Sequence, residues 1–226
     1  MQNYKGFTVG NVIGSGGFSD VYELNGAEGC RPLALKVYRT ERAFAEKAEK
    51  EVEALTKLSH PNIIDIVDYE LGQQPKLVME RADHSLRTEI NGHRTLEHAL
   101  RRTEQILSGI GYAHKQGVVH KDLKPENILI KDGVVKLTDF NLSKTLEQRV
   151  DNDLALSNAA SKSMIGGSFG YTAPEGAKDC RSDIYSVGAI LYELVTGQAP
   201  GGRFPAASKV AGTPKWLDAV IDKALA

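Results

Sequence analysis

Residues 120–127 run His-Lys-Asp-Leu-Lys-Pro-Glu-Asn, and the chain reaches Thr138-Asp139-Phe140 only after two short apolar runs. Those runs, Ile128-Leu129-Ile130 and Val134-Val135-Lys136-Leu137, flank Lys131-Asp132-Gly133, which reads as a hairpin turn. Upstream, Leu96 to Lys115 carries Leu100, Ile106, Leu107, Ile110 and Ala113 at helical spacing. The polar residues of 120–127 therefore occupy a loop between a helix and a hairpin. The far end of that hairpin delivers Asp139.

The chain before this unit is of a different kind. Phe7-Thr8-Val9, Val21-Tyr22-Glu23-Leu24 and Leu33-Ala34-Leu35-Lys36-Val37 read as strands, with Asn25-Gly26 offering a turn. This is a meander, not a βαβ unit. From Glu41 to Leu58 the period becomes helical through Phe44, Ala48, Val52, Leu55 and Leu58, and Pro61 is the expected stop. Two further strands are expected near Ile63–Asp68 and at Lys76–Glu80, with Gly72 between them. The part up to Arg81 should thus be a small antiparallel sheet with one helix. Beyond Arg81 the pattern is mostly helical. Residues 144–168 lack periodicity and are rich in Ser, Asn and Gly, as long functional loops are. Ser182 is placed to cap a helix running to Thr196, ended by Gly197.

A chain of 226 residues suffices for one large domain or two lobes sharing a cleft. Its 28 basic and 29 acidic residues leave a net charge of −1, which argues against a nucleic-acid partner and is silent about anionic membranes. The most apolar stretch, Val187 to Val195, is too short to span a bilayer and contains Glu193, so it reads as a buried helix. No charged-then-apolar leader pattern opens the sequence. Cys30 and Cys180, far apart, do not suggest a disulfide framework and fit a reducing cytoplasm.

Three groups of residues carry chemistry. In Ile13-Gly14-Ser15-Gly16-Gly17-Phe18-Ser19-Asp20-Val21, glycines between strands let backbone N–H groups approach phosphate oxygens. A plain glycine-rich hairpin explains that stretch equally well. No helix follows, as a dinucleotide fingerprint needs, and no Gly-Lys-Ser/Thr closes a P-loop. Lys36 lies within an apolar strand, where it either faces solvent at an edge or meets an acid. Glu51, one turn before Leu55 on the inward stripe, supplies that acid, whereas Glu49 and Glu53 fall on the solvated face. In the loop, Asp122 can accept the proton of an attacking hydroxyl and Lys124 can neutralise a migrating phosphoryl group. Asn127 and Asp139 offer oxygen ligands for Mg²⁺. Any one of these could be a turn or surface residue; all of them in this order are hard to explain so.

These residues resemble the signature set of the protein kinase superfamily, in order and spacing, over nearly the whole chain. The resemblance implies an α+β, bilobal protein-kinase-like fold: an N-lobe over 1–81 with an antiparallel sheet and one helix, and a mostly helical C-lobe over 82–226 that lacks the last helices. It implies a Ser/Thr protein kinase using ATP and Mg²⁺. Asp122 would be the catalytic base, Lys124 the phosphate-stabilising lysine, and Lys36 with Glu51 the pair that holds the α- and β-phosphates. Asn127 and Asp139 would hold the metal. The loop Gly14, Ser15, Gly16, Gly17, Phe18 and Ser19 would cover the phosphates, with Ser19 standing where the family has a third glycine. Ile13, Val21, Ala34 and Leu129 would sandwich adenine, Met79 would be the gatekeeper, and the backbone of Glu80-Arg81-Ala82 the hinge.

Gly167-Ser168 resembles the Ser/Thr class, with Ser168 bonding Asp122 and Lys124. Ala173-Pro174-Glu175 resembles the end of the activation segment, and Asp183 would brace the catalytic-loop backbone. The resemblance also implies a protein substrate, candidate autophosphorylation at Ser161 or Ser163, and a prokaryotic-type, cytoplasmic enzyme. Three departures stand out. Asn141 follows Phe140 where glycine is usual, Lys121 replaces the usual arginine, and the late arginine that would pair with Glu175 is missing. The rival readings are an ATP-binding pseudokinase serving as a regulatory scaffold and a small-molecule kinase. Leu123-Lys124-Pro125-Glu126-Asn127 and Ala173-Pro174-Glu175 oppose the latter.

Overall fold

The computed structural model describes residues 3–90, 92, 95–140, 170–176, 179–202 and 204–226, the side chains of 43 and 44 aside. Strands β1 (Asn3–Tyr4), β2 (Phe7–Ser15), β3 (Ser19–Asn25), β4 (Leu33–Tyr38), β5 (Ile66–Glu70) and β6 (Lys76–Glu80) form one antiparallel sheet in the order β1-β2-β3-β4-β6-β5. Val21 pairs with Lys36, and Lys36 with Leu77, so the lysine sits on a central strand with neighbours on both sides. Alternation along β4 divides the sheet's two faces. Leu33 and Leu35 join Tyr4, Leu24 and Val78 in a cluster on one face, while Ala34 joins the main core on the other.

Three boundaries up to β6 differ from expectation. β2 runs to Ser15, well past Val9, because its backbone pairs with β3 through Gly14↔Val21 and Ser15↔Asp20, with register shifts on either side of Val12. Side-chain alternation does not report such pairing. β5 starts at Ile66 because Ile63 and Ile64 turn inward, both buried. There the Ile64 N–H donates to the Leu137 carbonyl and the Leu137 N–H to that of Asn62, each at 2.9 Å. The first helix, α1 (Arg42–Leu55), ends before Leu58, so Pro61 is not its stop. Thr56 closes it, its hydroxyl bonding back to the Val52 carbonyl at 2.8 Å.

Beyond β6 come β7 (His84–Ser85), α2 (Leu86–Ile90), α3 (Leu96–Lys115), a 3₁₀ turn at Pro125–Asn127, and the hairpin β8 (Ile128–Lys131) and β9 (Val134–Leu137). Thr95 caps α3 by accepting from the His98 N–H. The hairpin turn holds Asp132 at φ 49° and Gly133 at φ 75°, the left-handed pair that a two-residue primed turn requires. α4 (Cys180–Thr196) contains the apolar run and buries all of Ser186 to Val195. Its cap is Asp179, accepting from the Arg181 N–H at 2.8 Å, and not Ser182, which lies inside the helix and is buried. Gly197, at φ 78°, ends it as expected. α5 (Ala207–Ala211) and α6 (Lys215–Ala224) close this half, α6 burying Leu217 and Ile221.

The expected loop at 144–168 lies outside the described residues. Among the described residues no helix is long and apolar enough to cross a membrane. Cys30 and Cys180 are both exposed and free.

Candidate active site

A cleft of about 1050 Å³ opens between the sheet and the helical half. The β2–β3 hairpin supplies Ile13, Gly14 and Ser15 from β2, Gly16, Gly17 and Phe18 from the loop, and Ser19 and Val21 from β3. Ala34 and Lys36 come from β4, Met79, Glu80 and Ala82 from the end of β6, and Leu129 from β8. Asp122, Lys124, Asn127 and Asp139 border the same space. Ile13 is 47% exposed there, an apolar side chain kept open to a cavity. Glu51 stands behind Lys36, buried. Ser168, Ser161, Ser163 and Asn141 lie outside the described residues.

Lys36 is the hub of the upper wall. Its Nζ donates to both Glu51 oxygens at 2.8 Å and also to Asp139 Oδ1. The Tyr38 hydroxyl donates to Glu51 Oε2. Burial alone would lower the Lys36 pKa, but the charges of Asp139 and Glu51 outweigh it and hold the ammonium well above the ordinary lysine value. For Asp139, desolvation pushes upward, yet the Lys36 charge and hydrogen bond, helped by Lys47, bring the carboxyl down to about 2. Burial leaves Glu51 raised, with Lys36 opposing. The cluster is an ion triad in which the lysine stays charged.

On the lower wall, Asp122 Oδ2 accepts from Lys124 Nζ at 3.1 Å and from Asn127 Nδ2 at 3.2 Å. Asn127 Nδ2 also donates to the Asp122 carbonyl at 2.8 Å, which pins the loop to its own base. With its amide nitrogen so engaged, the Asn127 oxygen remains as the ligand atom. Lys121 has φ 68° and Asp139 φ 61°, left-handed conformations that cost non-glycine residues energy and persist where the surroundings impose them. Asp183 imposes the first. Its carboxylate accepts from the His120 and Lys121 N–H groups at 2.9 Å each and lies 2.8 Å from His114 Nε2. Burial raises the Asp183 pKa, but the His114 hydrogen bond and the two backbone donors more than reverse it. Fully buried Phe140 packs on the His120 ring at 4.6 Å and so fixes the second.

Asn127 and Asp139 suit Mg²⁺, which takes one or two carboxylates, keeps waters and shares phosphate oxygens. Among the described residues no three His, Cys, Asp or Glu side chains cluster to cage a metal, and such a site does not call for it.

Several participants escaped the sequence reading. Tyr38 and Lys47 line the cleft beside Lys36. The Glu80 side chain turns to the hairpin, with Lys131 and Lys136 Nζ each at 2.8 Å. Arg87 links α2 to the 3₁₀ turn, to α4 and to Tyr171. It donates to Glu126 at 2.8 Å, to Glu193 at 2.6 Å and to the Tyr171 hydroxyl at 2.8 Å, and that hydroxyl donates in turn to Glu193. Glu193 within an apolar helix was the available signal, since a buried carboxylate demands a cation. Glu175 is exposed, so it needs no buried arginine.

Comparison with known proteins identifies the family and the fold. The model of the family described as "Protein kinase domain" matches residues 7–211. The chain is 37% identical to the probable serine/threonine-protein kinase PknB of Lactococcus lactis, over 83% of this chain and 31% of that protein. It is 33% identical to the serine/threonine-protein kinase PrkC of Bacillus subtilis, over 86% of this chain and 31% of that protein. A probable cell division protein kinase of Encephalitozoon cuniculi is 32% identical, with 97% of this chain and 85% of that protein covered. The kinase domain of Mycobacterium tuberculosis PknI superposes with a TM-score of 0.74 at 22% identity, covering 99% of this chain and 89% of that one, a likeness of fold. The chain spans only about a third of the length of the Lactococcus lactis and Bacillus subtilis relatives. From the family match and these relatives, the chain belongs to the protein kinase family, as a catalytic domain of the prokaryotic serine/threonine type.

Proposed function

We propose that this domain transfers the γ-phosphoryl group of ATP to a serine or threonine hydroxyl of a protein, with Mg²⁺ as cofactor. One observation carries the reading: Lys36 and Asp139, paired with each other and the lysine backed by buried Glu51, border a single cleft with Asp122, Lys124 and Asn127. Asp122 orients the hydroxyl and takes its proton as the new P–O bond forms and the bond to the β-phosphate oxygen of ADP breaks. Lys124 offsets charge on the migrating group, and Lys36, kept protonated by its two carboxylates, holds the α- and β-phosphates. Asn127 and Asp139 would bind Mg²⁺, which when present neutralises phosphate charge. Ile13, Val21, Ala34, Met79 and Leu129 form the apolar slot for adenine, and the Glu80–Ala82 backbone its edge. Acceleration comes from position and electrostatics, because the protein forms no covalent bond to the phosphoryl group.

The reading extends to autophosphorylation at Ser161 or Ser163 and to a cytoplasmic site of action, which suits two exposed, free cysteines. The test is incubation with Mg²⁺, γ-labelled ATP and a generic protein acceptor, followed by mass spectrometry. Phosphoserine and phosphothreonine are expected on the acceptor. Nucleotide binding without any phosphoamino acid would turn the reading into that of a scaffold, and label confined to tyrosine would refute the serine/threonine assignment.

A further inference from the structure

Lys47 has no task in the reading above, yet it lines the cleft. It stands on α1 one turn before Glu51 and so shares that residue's face. Its ammonium lies 3.4 Å from the centroid of the Phe18 ring, in the loop between β2 and β3. The two other lysines that line the cleft are engaged by carboxylates, Lys36 by Glu51 and Asp139 and Lys124 by Asp122. Among the described residues Lys47 makes no salt bridge. Burial lowers its pKa, and Asp139, Glu51 and Asp122 support the charge only through space. Among its described residues the cleft therefore holds a cation that rests on an aromatic face and is not neutralised by direct contact.

A polyphosphate brings several negative charges into a cleft whose Lys36 is already matched by two carboxylates. We infer that Lys47 is a further phosphate-binding residue, parked on Phe18 and recruited by the terminal phosphates of the nucleotide. This inference rests on the ATP reading and adds to it a cation supplied by helix α1. The ring has a physical purpose. A free lysine loses rotamer entropy when it is fixed, and parking on a ring meets part of that cost before the ligand arrives. A cation–π contact is weak enough to be exchanged for a charge-assisted bond to phosphate. The pair also ties the glycine loop to α1, so phosphate binding and loop closure become one event.

The test is calorimetric titration of the wild-type chain, Lys47→Met and Lys47→Arg, each with a Mg²⁺-bound non-hydrolysable ATP analogue and with adenosine. Lys47→Met should bind the analogue about tenfold more weakly, the loss of one charge-assisted contact. Adenosine affinity should be unchanged, and Lys47→Arg should recover most of the loss. In turnover, KM for ATP should rise by a similar factor while kcat changes less. An unchanged affinity for the analogue in Lys47→Met overturns the inference alone. Equal weakening toward adenosine and the analogue also overturns it, since Lys47 would then only prop the loop. If the wild-type chain binds neither ligand, the ATP reading falls and the inference with it.

Discussion

Lys36 lives almost without water. A lysine that is 6% exposed on a central strand would ordinarily shed its proton, and this one keeps it because two carboxylates share it. Asp139 is the partner whose titration can be observed. Its pKa of about 2 lies below the ordinary aspartate value of about 3.9. The carboxylate therefore contributes stability that is fully present above about pH 4 and is lost as pH falls toward 2. Thermal unfolding of wild type and Asp139→Asn between pH 5 and pH 2 should show the steeper acid loss in the wild type. Parallel curves would contradict the triad.

Much of this was legible in the sequence, for a simple reason. Of Glu49, Glu51 and Glu53, only Glu51 falls on the helical stripe that points inward, and only Glu51 is buried. Tyr38 and Lys47 were not legible. Each acts through a contact across elements, and nothing in a strand's alternation or a helix's period says which neighbour will be met. The departure at Asn141 and the Ser/Thr-class residue Ser168 lie outside the described residues, and there the sequence speaks alone.

Among the elements, α3 is readable to the residue, from Leu96 to Lys115, because a capping threonine and an amphipathic stripe agree. α4 is readable at its end, where Gly197 adopts the left-handed conformation, but not at its start. The expected cap, Ser182, is packed inside the helix, and Asp179 caps it instead. The docking of α6 on α4 is likewise tertiary. It depends on Gly188, where an added Cβ would lie 2.6 Å from that of Ala224. Gly188→Ala should gain about 1 kcal/mol of helix propensity. It should lose about 1–3 kcal/mol to overpacking, because the obstructing atom belongs to a packed helix and cannot swing away. A net destabilisation of about 1 kcal/mol in urea unfolding is expected; a more stable variant would show that α6 yields freely.

Across the whole molecule, the sheet and the helical half are joined where function requires it. The Asn62–Ile64 backbone bonds to Leu137, two residues before Asp139, and Gly109 of α3 lies so close that an added Cβ would come within 3.0 Å of the Asn62 carbonyl oxygen. Asp183 and Arg87 anchor the catalytic loop from below, one through backbone N–H groups and the other through Glu126. On the function proposed above, the upper wall would hold a nucleotide and the lower wall a hydroxyl, with Asp139 between them. The proposed transfer turns on Asp122 taking the hydroxyl proton in this cleft. Its most direct test is the initial rate of phosphate transfer from Mg²⁺-ATP to a protein acceptor by wild type and by Asp122→Asn, with nucleotide affinity measured in both. We predict a rate lower by about 10²–10⁴-fold at nearly unchanged affinity. Equal rates would contradict the account.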